Sequence, residues 1–216
     1  MLTWPTLAGA TTHPGSSEFD RIHRQVVSAI DDTLHMDASI IPYEMLDRKE
    51  FVKKARTDLA IGVEVNGPLL YDRVYFDLSS SGPHDPHVWA HEFIHYLARM
   101  FNRDAIKPPA HKMLEGITEY FAFQVIPGHP NPRHPYYGYL RFAEAIAAKI
   151  GGDKLRSIFF SNQAHQYSAL RRAVVPNDPP RFDLACEVLV RGDYATAVAM
   201  LDRNDSVKPT GLLHFR

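Results

Sequence analysis

The chain has 216 residues, enough for one substantial domain or two small ones and for a real hydrophobic core. Hydrophobic residues make up 45% and charged residues 23%, which excludes intrinsic disorder, and a net charge of −1 with a pI near 6.9 gives no general attraction to nucleic acid or acidic membranes. A single cysteine excludes an internal disulfide, the start lacks the basic and apolar regions of a Sec signal, and no stretch nears the ~20 apolar residues of a membrane helix.

Residues 1–17 are rich in Thr, Gly, Pro and Ser and predict a flexible arm. Phe19, Ile22, Val26, Val27, Ile30 and Leu34 recur at helical spacing, with Ser16 or Ser17 placed to cap. Tyr43 to Arg56 reads as a second short helix, with Met45, Leu46, Phe51 and Val52 inward. Leu59 to Val65 and Leu69 to Leu78 read as strands around an Asn66-Gly67-Pro68 turn. Asp85-Pro86 is a helix start, Asp as N-cap and Pro in the first turn, for a helix running to Phe101 that is apolar nearly all round. A second helix spans Ala110 to Ile126. A proline-rich segment, residues 127–135, leads into a helix over Tyr136 to Ile150, closed by Gly151-Gly152. Asp153 to Phe160 and Gln163 to Ala173 are shorter helices, and Pro176 to Pro180 is a linker. Phe182 to Val190 and Tyr194 to Leu201 pair as a helical cap. The class is α+β: a small N-terminal sheet, then a mostly helical C-terminal half. The expected division is an arm (1–17), a catalytic domain (18–175) and a C-terminal helical cap (176–216).

Within the first apolar helix stands His91-Glu92-Phe93-Ile94-His95. Histidines four apart lie on one helix face, so both imidazoles can reach one Zn²⁺. Glu92 follows the first ligand and is placed as the general base for water at the metal. A lone histidine in an apolar helix is more often a core residue bonded to a carbonyl; a spaced pair with a Glu between them is not. Residues 96 to 114 then allow a turn and a second helix to return Glu115 to the metal. Two His and one Glu leave a fourth position open for water, as a catalytic zinc site requires.

The pair, the gap and the run Glu115-Gly116-Ile117-Thr118-Glu119-Tyr120-Phe121 resemble the gluzincin zinc metallopeptidases, over roughly residues 70 to 125. The resemblance implies a zincin-like fold, one zinc per chain and peptide hydrolysis. Thermolysin-like enzymes of that clan usually carry Asn before the ligand Glu, and Leu114 stands here, which leaves the family within the clan unassigned. A metzincin pattern fails because Ala98 and Phe101 hold the positions that need Gly and His. His111, one turn before Glu115, is the rival third ligand, as in an all-histidine site of the SprT-like kind.

Glu119 lies one turn after Glu115, placed to accept the spare ring N–H of His91 or His95; otherwise it is a solvated helix carboxylate. Zinc peptidases add a donor for the tetrahedral oxyanion, and Tyr136 or Tyr137 are the candidates. Each aromatic of this kind is more often core or rim. Val74 to Leu78 is the candidate sheet edge, or its neighbour, for an extended substrate. The expected function is that of a zinc endopeptidase acting on protein or peptide, with no nucleic-acid or membrane partner. A cytoplasmic location is expected, with export by another route open. The alternatives are a non-proteolytic metal-containing protein-binding module and a SprT-like DNA-associated protease. An intact Glu92 argues against the first, and the missing basic stretch against the second.

Overall fold

A computed structural model describes residues 17–58, 69–70, 73–98, 108–128, 130–133, 136–161 and 163–202. Residues 1–16 of the expected arm, the expected strand and turn over 59–68, and His129 and His134 lie outside the described residues. Among the described residues the protein is mostly helical, with nine α-helices and one small sheet, which agrees with an α+β class. It divides into two compact units, residues 1–97 with 122–127, and residues 98–121 with 128–216.

The first unit holds α1 (Ser17–Leu34), β1 (Tyr43–Leu46), α2 (Arg48–Asp58), β2 (Leu69–Leu70), β3 (Val74–Asp77), a 3-10 turn (Gly82–His84) and α3 (Pro86–Leu97). Strand order is β1-β3-β2. β1 runs parallel to β3, from Tyr43 opposite Val74 to Leu46 opposite Asp77. β2 is antiparallel to β3, with Leu70 opposite Val74. The expected helix over Tyr43 to Arg56 is therefore a strand followed by a helix. Asp47 makes the break: its Oδ1 accepts the Glu50 N–H at 2.8 Å and its carbonyl the Phe51 N–H at 2.9 Å, capping α2. The expected strand over Leu69 to Leu78 is two strands folded on each other. Among the described residues β3 is the central strand, with β1 on one side and β2 on the other.

All four residues of β3 are buried. Its last residue, Asp77, receives the Arg48 guanidinium at 2.8 Å and the Ser79 hydroxyl at 2.7 Å. Burial alone would raise the Asp77 pKa, but the Ser79 hydroxyl and amide and the Arg48 charge outweigh it and hold it below the usual carboxylate range. α3 packs on α1 and on β3. Trp89 of α3 is fully buried, stacks on Phe76 at 4.4 Å between centroids, and donates its indole N–H to the Pro83 carbonyl at 2.9 Å. Truncating a buried aromatic of this size costs about 3–5 kcal/mol, so this contact is a principal fastening of α3.

The second unit holds the larger part of α4 (Pro108–Val125), then α5 (Tyr137–Ile150), α6 (Gly152–Phe159), α7 (Gln163–Val174), α8 (Pro179–Val190) and α9 (Tyr194–Asp202). α5 is its hub, packed against α6, α7, α8 and α9. Gly151 ends α5 at φ 87°, a conformation that glycine adopts without penalty, and its N–H bonds the Ala147 carbonyl at 2.9 Å. Gly138 makes room for α9: a Cβ there would stand 2.4 Å from the Tyr194 ring. Tyr167 of α7 donates to Asp183 of α8 at 2.8 Å, and Arg171 pairs with the same carboxylate at 2.6 Å. α8 begins at Pro179, inside the expected linker.

Candidate metal centre

α3 starts where the sequence places it. Asp85 is extended, and its Oδ1 accepts the His87 N–H at 2.9 Å, satisfying one amide of the first turn. Pro86 supplies a fixed φ at the helix start. From Trp89 to His95 every side chain is buried. His91, Glu92 and His95 are thus polar groups set in an apolar helix. His91 and Glu92 are each 7% exposed, and His95 is fully buried. Burying three ionisable groups on adjacent turns is unfavourable unless something partners them.

The helical repeat brings the imidazoles together. Nε2 of His91 and Nε2 of His95 lie 3.0 Å apart, with ring centroids at 4.6 Å. The two Nε2 atoms are thus close enough for one ion to reach both. Among the described residues, His91, His95 and Glu115 form a buried group able to hold a metal ion, with one ligand atom from each and all three within 4.8 Å of one another. Two imidazole nitrogens and one carboxylate oxygen are a donor set suited to zinc and to other first-row divalent ions.

Glu92 is adjacent to the first histidine and outside that donor group. Its Oε2 is buried and has no hydrogen-bond partner among the described residues. A carboxylate oxygen so placed is available to a reacting water, which is what a general base beside a metal requires.

α4 carries the third member. Glu115 is 2% exposed, flanked by buried Met113, Leu114 and Ile117. Leu114, just before it, is a core residue at 2% exposure. Thr118 donates its hydroxyl to the Leu114 carbonyl at 3.0 Å. Glu119 is 5% exposed, so the expected solvated-carboxylate alternative does not describe it. His111 is outside the three-residue group, yet its Nε2 lies 3.1 Å from Oε1 of Glu115.

Gly116, inside the motif, was not singled out by spacing, and the structure gives it a part. A Cβ at position 116 would lie 2.2 Å from the Tyr139 carbonyl oxygen on α5. A glycine in mid-helix was the available signal, since it is unfavourable there without a packing reason. Tyr136 is half-buried just before α5, its ring 6.2 Å from that of Tyr139, and Tyr137 opens α5, also half-buried. These positions describe a helix start. An oxyanion role for either tyrosine rests on the sequence argument alone.

No family model matches the chain, and comparison with curated proteins and with solved structures finds no significant match to either. No helix among the described residues is long and apolar enough to cross a membrane.

Proposed function

We propose that this protein is a zinc-dependent metallopeptidase of the gluzincin kind that hydrolyses a protein or peptide substrate. The observation that carries the reading is the buried His91, His95 and Glu115 group, with its ligand atoms within 4.8 Å of one another. Glu92 supports it from the neighbouring position, with a buried carboxylate oxygen that no described residue engages. The donor set fits zinc in element and in count, and three protein ligands leave a position for water. A bound zinc ion would supply Lewis acidity, polarising the scissile carbonyl and making water a usable nucleophile near neutral pH.

The chain's own residues do the rest. His91 and His95 would hold the ion, and Glu115 would add one negative charge to the site. Glu92 takes a proton from the attacking water and delivers it to the departing amine nitrogen. The C–N bond breaks as that nitrogen is protonated, so one residue handles both proton transfers. Glu119, buried one turn beyond Glu115, is assigned to orienting a histidine ligand by accepting its spare ring N–H. Tyr136 or Tyr137 is assigned to the oxyanion.

A broad peptide library, incubated with zinc-loaded wild type and with Glu92→Gln, tests this. Glutamine keeps the shape and removes the base. The expected outcome is cleavage by wild type, a fall of at least ~10²–10⁴-fold in the variant, and equal zinc content in both. Equal cleavage rates would refute Glu92 as the base. Zinc binding without cleavage of any peptide by either protein would favour a binding module.

A further inference from the structure

His111 stands one turn before Glu115 on the same face of α4. Its Nε2 is 3.1 Å from Oε1 of Glu115, a carboxylate that is only 3% exposed, while His111 itself is 26% exposed. That separation is normal for an N–H···O hydrogen bond. The alignment is not, because His111 Nε2 has no hydrogen-bond partner among the described residues. A turn of the partly exposed imidazole would be needed to bring a ring N–H into line with that oxygen. The carboxylate so approached is the one that belongs to the buried three-residue group, and His111 does not belong to it.

We propose that His111 is a positioning residue for Glu115. Its ring N–H holds one carboxylate oxygen, so that the other stays turned to the ion. The inference rests on the zinc reading and deepens it. A glutamate side chain has three free torsions, and fixing them costs rotamer entropy. A donor one helical turn away fixes them before the ion arrives. Partners of this kind behind a ligand typically contribute about 10–100-fold to metal affinity. The alternative is a helix ion pair at i and i+4, which would add slightly to stability and nothing to metal affinity.

The test compares the full-length wild type with His111→Ala, His111→Gln and Glu115→Ala. Zinc affinity is measured by competition with a chromophoric chelator, and the cobalt-substituted proteins are compared by visible absorption. Wild type should bind one zinc. His111→Ala should still bind one, about 10–100-fold more weakly, with an altered cobalt spectrum. His111→Gln retains an N–H donor and should recover most of the affinity. Equal zinc affinity in wild type and His111→Ala, whatever happens to the melting temperature, would overturn the positioning role and leave the zinc reading intact. A His111→Gln variant as weak as His111→Ala would overturn the donor role. Loss of the ion in His111→Ala together with its retention in Glu115→Ala would make His111 the ligand, and the proposal wrong. A wild type that binds no zinc at all would remove the zinc reading itself, and this inference with it.

Discussion

Gly116 and the backbone of Tyr139 touch so closely that no side chain fits between them: a Cβ on residue 116 would stand 2.2 Å from the Tyr139 carbonyl oxygen and 2.5 Å from its carbon. The obstacle is main chain of α5, so it cannot swing aside as a side-chain tip would. Alanine is the better helix former by about 1 kcal/mol. We expect Gly116→Ala to destabilise despite that gain, by roughly 1–3 kcal/mol net, because α4 and α5 must move apart. Glu115 is the preceding residue, so zinc affinity should fall as well. Thermal unfolding with a parallel zinc titration measures both. A melting temperature equal to or above that of wild type would mean the contact is not as close as described.

His23 predicts a pH dependence. Its ring lies among Tyr43, Trp89 and Phe93, at 4.8, 6.0 and 5.8 Å between centroids, and its Nε2 has no hydrogen-bond partner among the described residues. Burial is the largest influence and lowers its pKa below the ordinary value; Asp20 opposes this and Arg24 adds to it. The folded state therefore favours the neutral ring. Below about pH 6.5 the unfolded chain takes up a proton that the folded chain refuses, so stability falls with pH and levels off below the folded pKa. His23→Phe removes this contribution. Denaturant titrations from pH 8 to 5 should show wild type losing more stability than the variant across that window. Parallel pH profiles would place the cause elsewhere.

Metal binding should be visible as stability. An ion held only by the folded state raises the unfolding free energy by about 2.7 kcal/mol at a free concentration of 100 times Kd. Zinc should therefore raise the melting temperature of wild type, and a chelator should reverse the rise. His95→Ala, which removes a fully buried ligand, should show neither response. An identical zinc-induced shift in the variant would mean that the ion sits at another site.

The helices could be read from the sequence where the signal is local. Asp85-Pro86 starts α3 as expected, because an N-cap hydrogen bond spans two residues. Phe19, Ile22, Val26 and Ile30 line the buried face of α1 at helical spacing. The His91 and His95 pair was equally readable, since one helical turn fixes it. β1 was not. Its four residues pair with β3 across a long stretch of chain, and nothing within Tyr43–Leu46 records that partner. The Asp47 cap between strand and helix was available, as an Asp three residues before Glu50, and marks the true start of α2. Gly116 was legible only as an oddity, because the α5 backbone that it accommodates is set by tertiary packing. The His111 contact with Glu115 follows from their i and i+4 spacing on one helix.

His91, His95 and Glu115 are proposed to hold one ion together. Anomalous diffraction at the zinc edge, from crystals of the zinc-loaded wild type, tests it most directly. The expected result is a single strong anomalous peak per chain, about 2.0 to 2.2 Å from a ring nitrogen of His91, a ring nitrogen of His95 and a carboxylate oxygen of Glu115. A peak bound by His111 with Glu115 turned away, or one that lies away from the two histidines of α3, would contradict it.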